Sequence, residues 1–238
     1  ERFQALGVTG MGSGLQRSFM ELLELSIEEG RNFIEDLTRR DLPVRDVYQA
    51  LCDLAVPRLL VDKTPMNAAS MEGLLHAEVL FEAPLYIHLI RHPYSVVESY
   101  VRNRFDKIFG GAEGDPARIG EQVWEVSNSN ITKFFQSISP NRGLVVRYED
   151  LVANPEFEMR RVCAFLRIPF HEGLLHPYEG DRMTQGLHIK SKGIGDPNFH
   201  NHQTIEAELG EVWRSIQLPH KLEAATAVLA RSEEHTSE

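Results

Sequence analysis

One stretch constrains the fold more than any other: Leu85-Tyr86-Ile87-His88-Leu89-Ile90-Arg91-His92-Pro93-Tyr94-Ser95-Val96-Val97-Glu98-Ser99-Tyr100. An apolar run halts at an arginine, and a proline follows two residues later. This reads as a buried strand over 84–90 that delivers a cation to its C-terminal end. Pro93 then opens a helix over 93–105, where its missing N–H is no loss. Ser95 and Ser99 stand one turn apart on that helix, and Arg102 extends the same face. A guanidinium, two hydroxyls and a helix N-terminus aimed at one spot make an anion site suited to phosphate. The alternative is an ordinary strand-to-helix junction with Arg91 paired to a surface carboxylate.

Two further apolar runs read as strands, Leu59-Leu60-Val61 and Gly143-Leu144-Val145-Val146-Arg147-Tyr148. Helical spacing of apolar residues predicts helices over 15–30, 45–56, 67–81, 117–138, 155–167, 204–216 and 219–230. Gly10-Met11-Gly12-Ser13-Gly14 reads as a linker, and 169–202 as loops rich in Gly, Pro and Asn. Strands alternating with long helices imply a parallel sheet covered on both faces, hence an α/β fold of three layers. Ligands in such sheets bind beyond the carboxyl ends of the strands. All three ends carry polar chemistry: Asp62-Lys63-Thr64-Pro65, Arg91-His92-Pro93 and Tyr148-Glu149-Asp150. The central expectation is that these three tips share one pocket.

Composition narrows the partners. The formal charge of −10 leaves no basic excess to displace counterions, so nucleic acid is not expected as a partner. A small polyanion remains compatible, because screening leaves the local pocket charge in control. No run reaches 18 apolar residues, so no transmembrane helix and no membrane partner are expected, and no signal peptide is read. The two cysteines, Cys52 and Cys163, sit in apolar helical patterns and read as buried thiols of a reducing, cytoplasmic compartment. The 238 residues suffice for one large domain, expected over 1–230 and incomplete at its start. Glu1 reads as mid-sequence, and Arg231-Ser232-Glu233-Glu234-His235-Thr236-Ser237-Glu238 as a polar, non-native tail.

Individual tips allow chemistry without compelling it. Lys63 is a compact charge able to reach a phosphate or sulfuryl oxygen, or simply a solvated strand-end lysine. Tyr148 can stack on a nucleobase or close a sheet edge. Glu149 and Asp150 suit acid–base work or capping of the next helix. In Lys190-Ser191-Lys192-Gly193-Ile194-Gly195-Asp196 the glycines let backbone amides approach an anion and the lysines neutralise it. The His and Asp residues around His200 and His202 lack a convincing metal-ligand spacing, and no metal is expected.

Taken in order, LVDKTP (60–65), IRHPYSVVESY (90–100), VRYEDLVANP (146–155), CAFLRIPF (163–170) and KGIGDPNF (192–199) resemble the sulfotransferases that use 3′-phosphoadenosine 5′-phosphosulfate. The resemblance spans about 15–217 and implies a P-loop-type parallel sheet flanked by helices. It implies that Arg91 and Ser99 bind the nucleotide 3′-phosphate, with Lys192 and Gly193 of the late loop beside them. It implies further that Tyr148 lies near the adenine and Lys63 near the transferred group. GLQRSFMELLEL (14–25), PYEGDRMTQGLH (177–188) and GDPNFHNHQTI (195–205) are similar to the polyketide- and nonribosomal-peptide-associated subgroup. That subgroup implies an acceptor hydroxyl on a small molecule or on an acyl chain held by a carrier protein.

The chain also departs from the family pattern. Nothing before Gly14 reads as the opening strand and phosphosulfate-cradling loop, so the fragment by itself is expected to be inactive. Pro65 stands where the cytosolic branch has a catalytic histidine, and Ser191 where it has an arginine. The base must come from elsewhere, and His200 or His202 could act as base or orient the acceptor. Two other readings stay open: a P-loop nucleotide kinase or phosphotransferase, and a non-catalytic fragment.

Overall fold

In the computed structural model, residues 11–108, 113–179 and 202–234 are described. The contacts divide the chain into two compact units, residues 1–63 with 178–204, and residues 64–177 with 205–238.

The first unit is helical. It contains α1 (Met11–Leu23), α2 (Ile27–Arg40) and α3 (Val44–Ala55). Phe19, Ile34, Leu37, Val47 and Leu51 form its core, with Leu15, Leu22 and Leu60 packed against them. The glycines at 12 and 14 fall inside α1, not in a linker, because packing of the Leu15 and Phe19 face outweighs the helix cost of glycine, about 1 kcal/mol each. The helix expected over 15–30 is two helices. Glu24 turns the chain with a left-handed φ of 54°. Ser26 then starts α2 with a reciprocal cap: its hydroxyl accepts from Glu29 N, and the Glu29 carboxylate accepts from Ser26 N. Gly30 lets α2 approach the Met20 side chain, where a Cβ would collide.

Leu59-Leu60-Val61 is not a strand. It runs without ladder bonds to a described residue, and only Leu60 turns inward, onto the helical core. Leu59 and Val61 are exposed. An apolar run of three residues does not by itself recruit a neighbouring strand, and the sheet expected to have three strands shows two among the described residues.

The second unit is helix-rich α/β. Its elements in order are α4 (Met71–Leu80), β1 (Tyr86–Ile90), α5 (Pro93–Arg102), the short α6 (Phe105–Ile108), α7 (Pro116–Ser137), β2 (Gly143–Arg147), α8 (Tyr148–Ala153), α9 (Pro155–Leu166) and α10 (Ala224–Glu234). The strands pair in parallel, with Tyr86 opposite Gly143 and Ile90 opposite Arg147. Parallel neighbours need a long crossover, which α5 to α7 supply. The segment expected as a helix over 204–216 is two 3-10 turns, Ala207–Gly210 and Val212–Ser215. Gly210 sits so close to Val152 and the Glu149 carbonyl that the chain takes a tighter path than an α-helix. The last helix starts at Ala224, later than its expected position, and continues through Glu234.

Buried polar bonds tie α7 to the sheet. His88, 4% exposed, meets Asn128 Oδ1 at 2.7 Å, and Asn128 Nδ2 donates to the Trp124 carbonyl at 2.7 Å. Burial holds the His88 imidazole below its ordinary pKa, so it is neutral. Phe134 is fully buried and meets Tyr86 edge-on at 4.9 Å. Gly120 brings α5 and α7 into contact, since a Cβ there would lie 3.0 Å from Tyr100 Cβ. On β2, Arg161 of α9 donates to the Val145 carbonyl at 2.8 Å. On the face away from His88 and Ile90, Ile87 and Leu89 are 43% and 58% exposed. Both cysteines are free thiols, on α3 and α9.

Glu121, 3% exposed on α7, fastens the C-terminal segment. It receives His220 Nε2 at 2.6 Å and the Glu223 N–H at 2.7 Å. Burial alone would raise its pKa, but the Glu223 amide, His220 and the Thr226 hydroxyl outweigh that and hold the carboxyl below the usual range. A depressed carboxyl stabilises the fold above its unfolded pKa, and the contribution disappears as pH falls through the folded value. Glu121→Gln should therefore cost roughly 1–3 kcal/mol at pH 7, with the difference from the parent shrinking below about pH 4. Denaturant unfolding across that range is the measurement, and a pH-independent difference would contradict the clamp.

Candidate functional site

The strand register explains why two distant side chains meet. Ile90 and Arg147 are partners at the last rung of the ladder, so the next residues, Arg91 and Tyr148, leave the sheet side by side. The Arg91 guanidinium carbon lies 4.3 Å from the Tyr148 ring centroid, a cation–π contact. Arg91 Nε is buried and has no acceptor among the described residues. A buried N–H without a partner is costly, and an anionic oxygen would satisfy it.

Around this pair the backbone is closely held. Trp124 Nε1 donates to the Arg91 carbonyl at 2.8 Å, and the His92 N–H donates to Glu149 Oε1 at 2.9 Å. The His92 ring stacks on Trp213 at 3.8 Å and on Tyr94 at 5.4 Å. Its Nδ1 accepts from Tyr94 N at 3.3 Å and so caps α5 in the manner of an N-cap side chain. Pro93 follows at the first turn, as the sequence predicts. Burial, together with the cations Arg147 and Arg214, pushes the His92 pKa down to about 4. The ring is thus neutral at pH 7 and keeps Nδ1 as an acceptor. Ile90, Arg91, His92, Trp124, Arg147 and Glu149 line a small pocket here.

The positive field that depresses His92 is the field an anion would experience. Arg147 is partly answered by Asp150 at 3.6 Å. Guanidinium, aromatic face and helix start together suit a phosphorylated aromatic ligand.

Other expected members stand differently. Ser99 is half-buried on α5, and its hydroxyl accepts from Asn103 Nδ2 at 3.0 Å, leaving its own proton available to donate. Ser95, one turn earlier, is 3% exposed and belongs to the interior, not to an anion face. Arg102 turns to Glu98 at 3.1 Å instead of extending that face, because an i,i+4 carboxylate is the nearer partner. Lys63 is exposed in the extended segment that ends the first unit, next to Asp62, whose carboxylate accepts from Tyr48 at 2.8 Å. The third expected strand tip is therefore not a strand end. His202 lies 5.9 Å from the Tyr178 ring in the same unit. Lys192, Gly193, His200 and Ser191 lie outside the described residues. No group of three His, Cys, Asp or Glu suited to a metal ion occurs among the described residues, and none of their helices is long and apolar enough to cross a membrane.

Trp124 and Trp213 escaped the sequence as site neighbours, and Glu149 is placed there at a pocket tip without its bond to the His92 N–H. Trp124 reads there as one more apolar residue on α7, and nothing in sequence signals its bond to a carbonyl 33 residues away.

Comparison with known proteins shows what the chain as a whole is similar to. A family model described as "Sulfotransferase family" matches residues 31–172, which include β1, β2, Arg91 and Tyr148. Protein-tyrosine sulfotransferase A of Caenorhabditis elegans is 28% identical over 120 residues, 50% of this chain and 30% of that protein's length. The sulfotransferase domain from the curacin biosynthetic pathway superposes with a TM-score of 0.88 at 44% identity, over 94% of this chain and 79% of that one. The sulfotransferase domain from the Synechococcus PCC 7002 olefin synthase gives 0.86 at 39% identity, over 98% and 78%. The family model covers more than half of the chain, and the chain belongs to the sulfotransferase family.

Proposed function

We infer that the protein moves a sulfuryl group from 3′-phosphoadenosine 5′-phosphosulfate to an acceptor hydroxyl. The observation that most supports this is the buried Arg91 Nε–H, without an acceptor among the described residues, beside the Tyr148 ring at the carboxyl end of a parallel strand. In this reading Arg91 and Ser99 hold the nucleotide 3′-phosphate, with Lys192 and Gly193 adding backbone and ammonium donors. Tyr148 borders the adenine. The acceptor oxygen forms a bond to sulfur while the bond from sulfur to the phosphate oxygen breaks, and the nucleotide 3′,5′-bisphosphate leaves. Negative charge grows on that leaving oxygen, and Lys63 would stabilise it. The acceptor proton passes to a base, for which His200 and His202 are the candidates.

The acceptor we favour is a hydroxyl on an acyl chain held by a carrier protein. The two solved neighbours come from a biosynthetic pathway and an olefin synthase, and their identity to this chain is higher than that of the tyrosine sulfotransferase. A tyrosyl peptide is the competing acceptor, and the two are separable by offering each to the full-length protein.

Isothermal titration with adenosine 3′,5′-bisphosphate tests the nucleotide site. Arg91→Ala in the full-length protein should lose roughly 1.5–3 kcal/mol of binding, about a tenfold to hundredfold rise in Kd. Arg91→Lys should also weaken binding, because a planar fork is replaced by a point charge. Equal affinity for parent and Arg91→Ala would remove the assignment. Lys63→Ala should lower kcat about a hundredfold or more while changing nucleotide KM far less, since its contact strengthens only in the transition state. Steady-state kinetics with saturating nucleotide measures this, and an unaltered kcat rules out the role.

A further inference from the structure

The peptide that joins Arg91 to His92 is gripped on both edges. Its carbonyl accepts from Trp124 Nε1 at 2.8 Å, and its N–H donates to Glu149 Oε1 at 2.9 Å. A peptide unit is planar, so opposed bonds at its two edges fix its rotation. That sets ψ of Arg91 and φ of His92, and with them the direction in which the Arg91 side chain leaves the sheet. The two grips come from different elements, Trp124 from α7 and Glu149 from α8.

Each grip is itself anchored. Trp124 is 4% exposed, and its own carbonyl accepts from Asn128, which meets His88 of β1. These bonds tie the turn of α7 that carries Trp124 to the strand that carries Arg91, and burial confines the indole between them. Glu149 directly follows Tyr148, whose ring underlies the guanidinium. One dipeptide thus touches both the Arg91 guanidinium and the N–H of the residue that follows it, His92. The ladder ends at the Ile90–Arg147 rung, and beyond it two side chains hold this peptide.

We propose that Trp124 and Glu149 are positioning residues that aim the Arg91 fork at the nucleotide phosphate. The proposal rests on the reading of Arg91 as a phosphate ligand. A fork binds two oxygens only within a narrow range of angles, so a freely rotating peptide behind it weakens binding with no contact to the ligand lost.

The test is bisphosphate affinity by isothermal titration on the full-length protein. Trp124→Phe keeps the ring and removes the N–H, and should raise Kd about tenfold. Glu149→Ala should do the same, whereas Glu149→Gln retains an acceptor and should stay within about twofold of the parent. In an Arg91→Ala background, Trp124→Phe should produce no further loss, because the effect passes through Arg91. A Trp124→Phe protein with parental affinity overturns the proposal. So does an equal tenfold loss in the Arg91→Ala background, or an affinity of Glu149→Gln as poor as that of Glu149→Ala. Should Arg91→Ala alone bind normally, the phosphate reading falls, and that failure is distinct from a normal Arg91→Ala effect with inert Trp124 and Glu149 variants.

Discussion

The parallel pairing of β1 with β2 is the constraint on which the rest of this structure hangs. Five rungs, from Tyr86 opposite Gly143 to Ile90 opposite Arg147, bring together segments more than fifty positions apart. Side chains alternate between the two faces of a strand, so a slip of one residue would turn His88 and Ile90 outward and Ile87 and Leu89 inward. The buried His88–Asn128 contact and the fully covered Phe134 both select the observed register. With the register set, Arg91 and Tyr148 have no choice but to leave the sheet together.

From that junction the chemistry follows. A guanidinium over an aromatic ring, next to the start of α5, is the arrangement on which the proposed nucleotide site rests. His92 contributes without charge: burial and two arginines keep its imidazole neutral, so it caps a helix and packs between Trp213 and Tyr94 instead of adding a cation. The same cations that suppress protonation there supply the field that an anion requires. Electrostatics and hydrogen bonding at this point thus favour one outcome, a positive tip whose buried Arg91 Nε has no acceptor among the described residues.

Several features were legible before any coordinates. The Arg91 strand end, the proline-opened helix, the long helix after Pro116, the strand at 143–147 and the helix after Pro155 all appear within a few residues of expectation. Each has a strong local signal: an apolar run, or a proline at a first turn. Misreadings occurred where the local signal was short or where two principles competed. Leu59-Leu60-Val61 has the apolar content of a strand but no partner among the described residues. Residues 15–30 keep a helical period across a break that the Ser26–Glu29 cap imposes, and that capping pattern was present in the sequence to be seen. The 3-10 turns at 207–215 arise from a tight approach of Gly210 to α8, which no local pattern announces.

The amino-acid order by itself determined the α/β alternation and the residues at two strand ends, Arg91 and Tyr148. These follow from periodicity and residue type, which act over a few neighbours along the chain. Tertiary structure decided which of those residues meet. Register set Arg91 over Tyr148, an i,i+4 carboxylate drew Arg102 away, and burial took Ser95 inside. It also recruited Trp124 and Glu149 to a single peptide from two separate helices. Such choices depend on distances across the packed interior, and these become defined only when strand register and helix contacts form together.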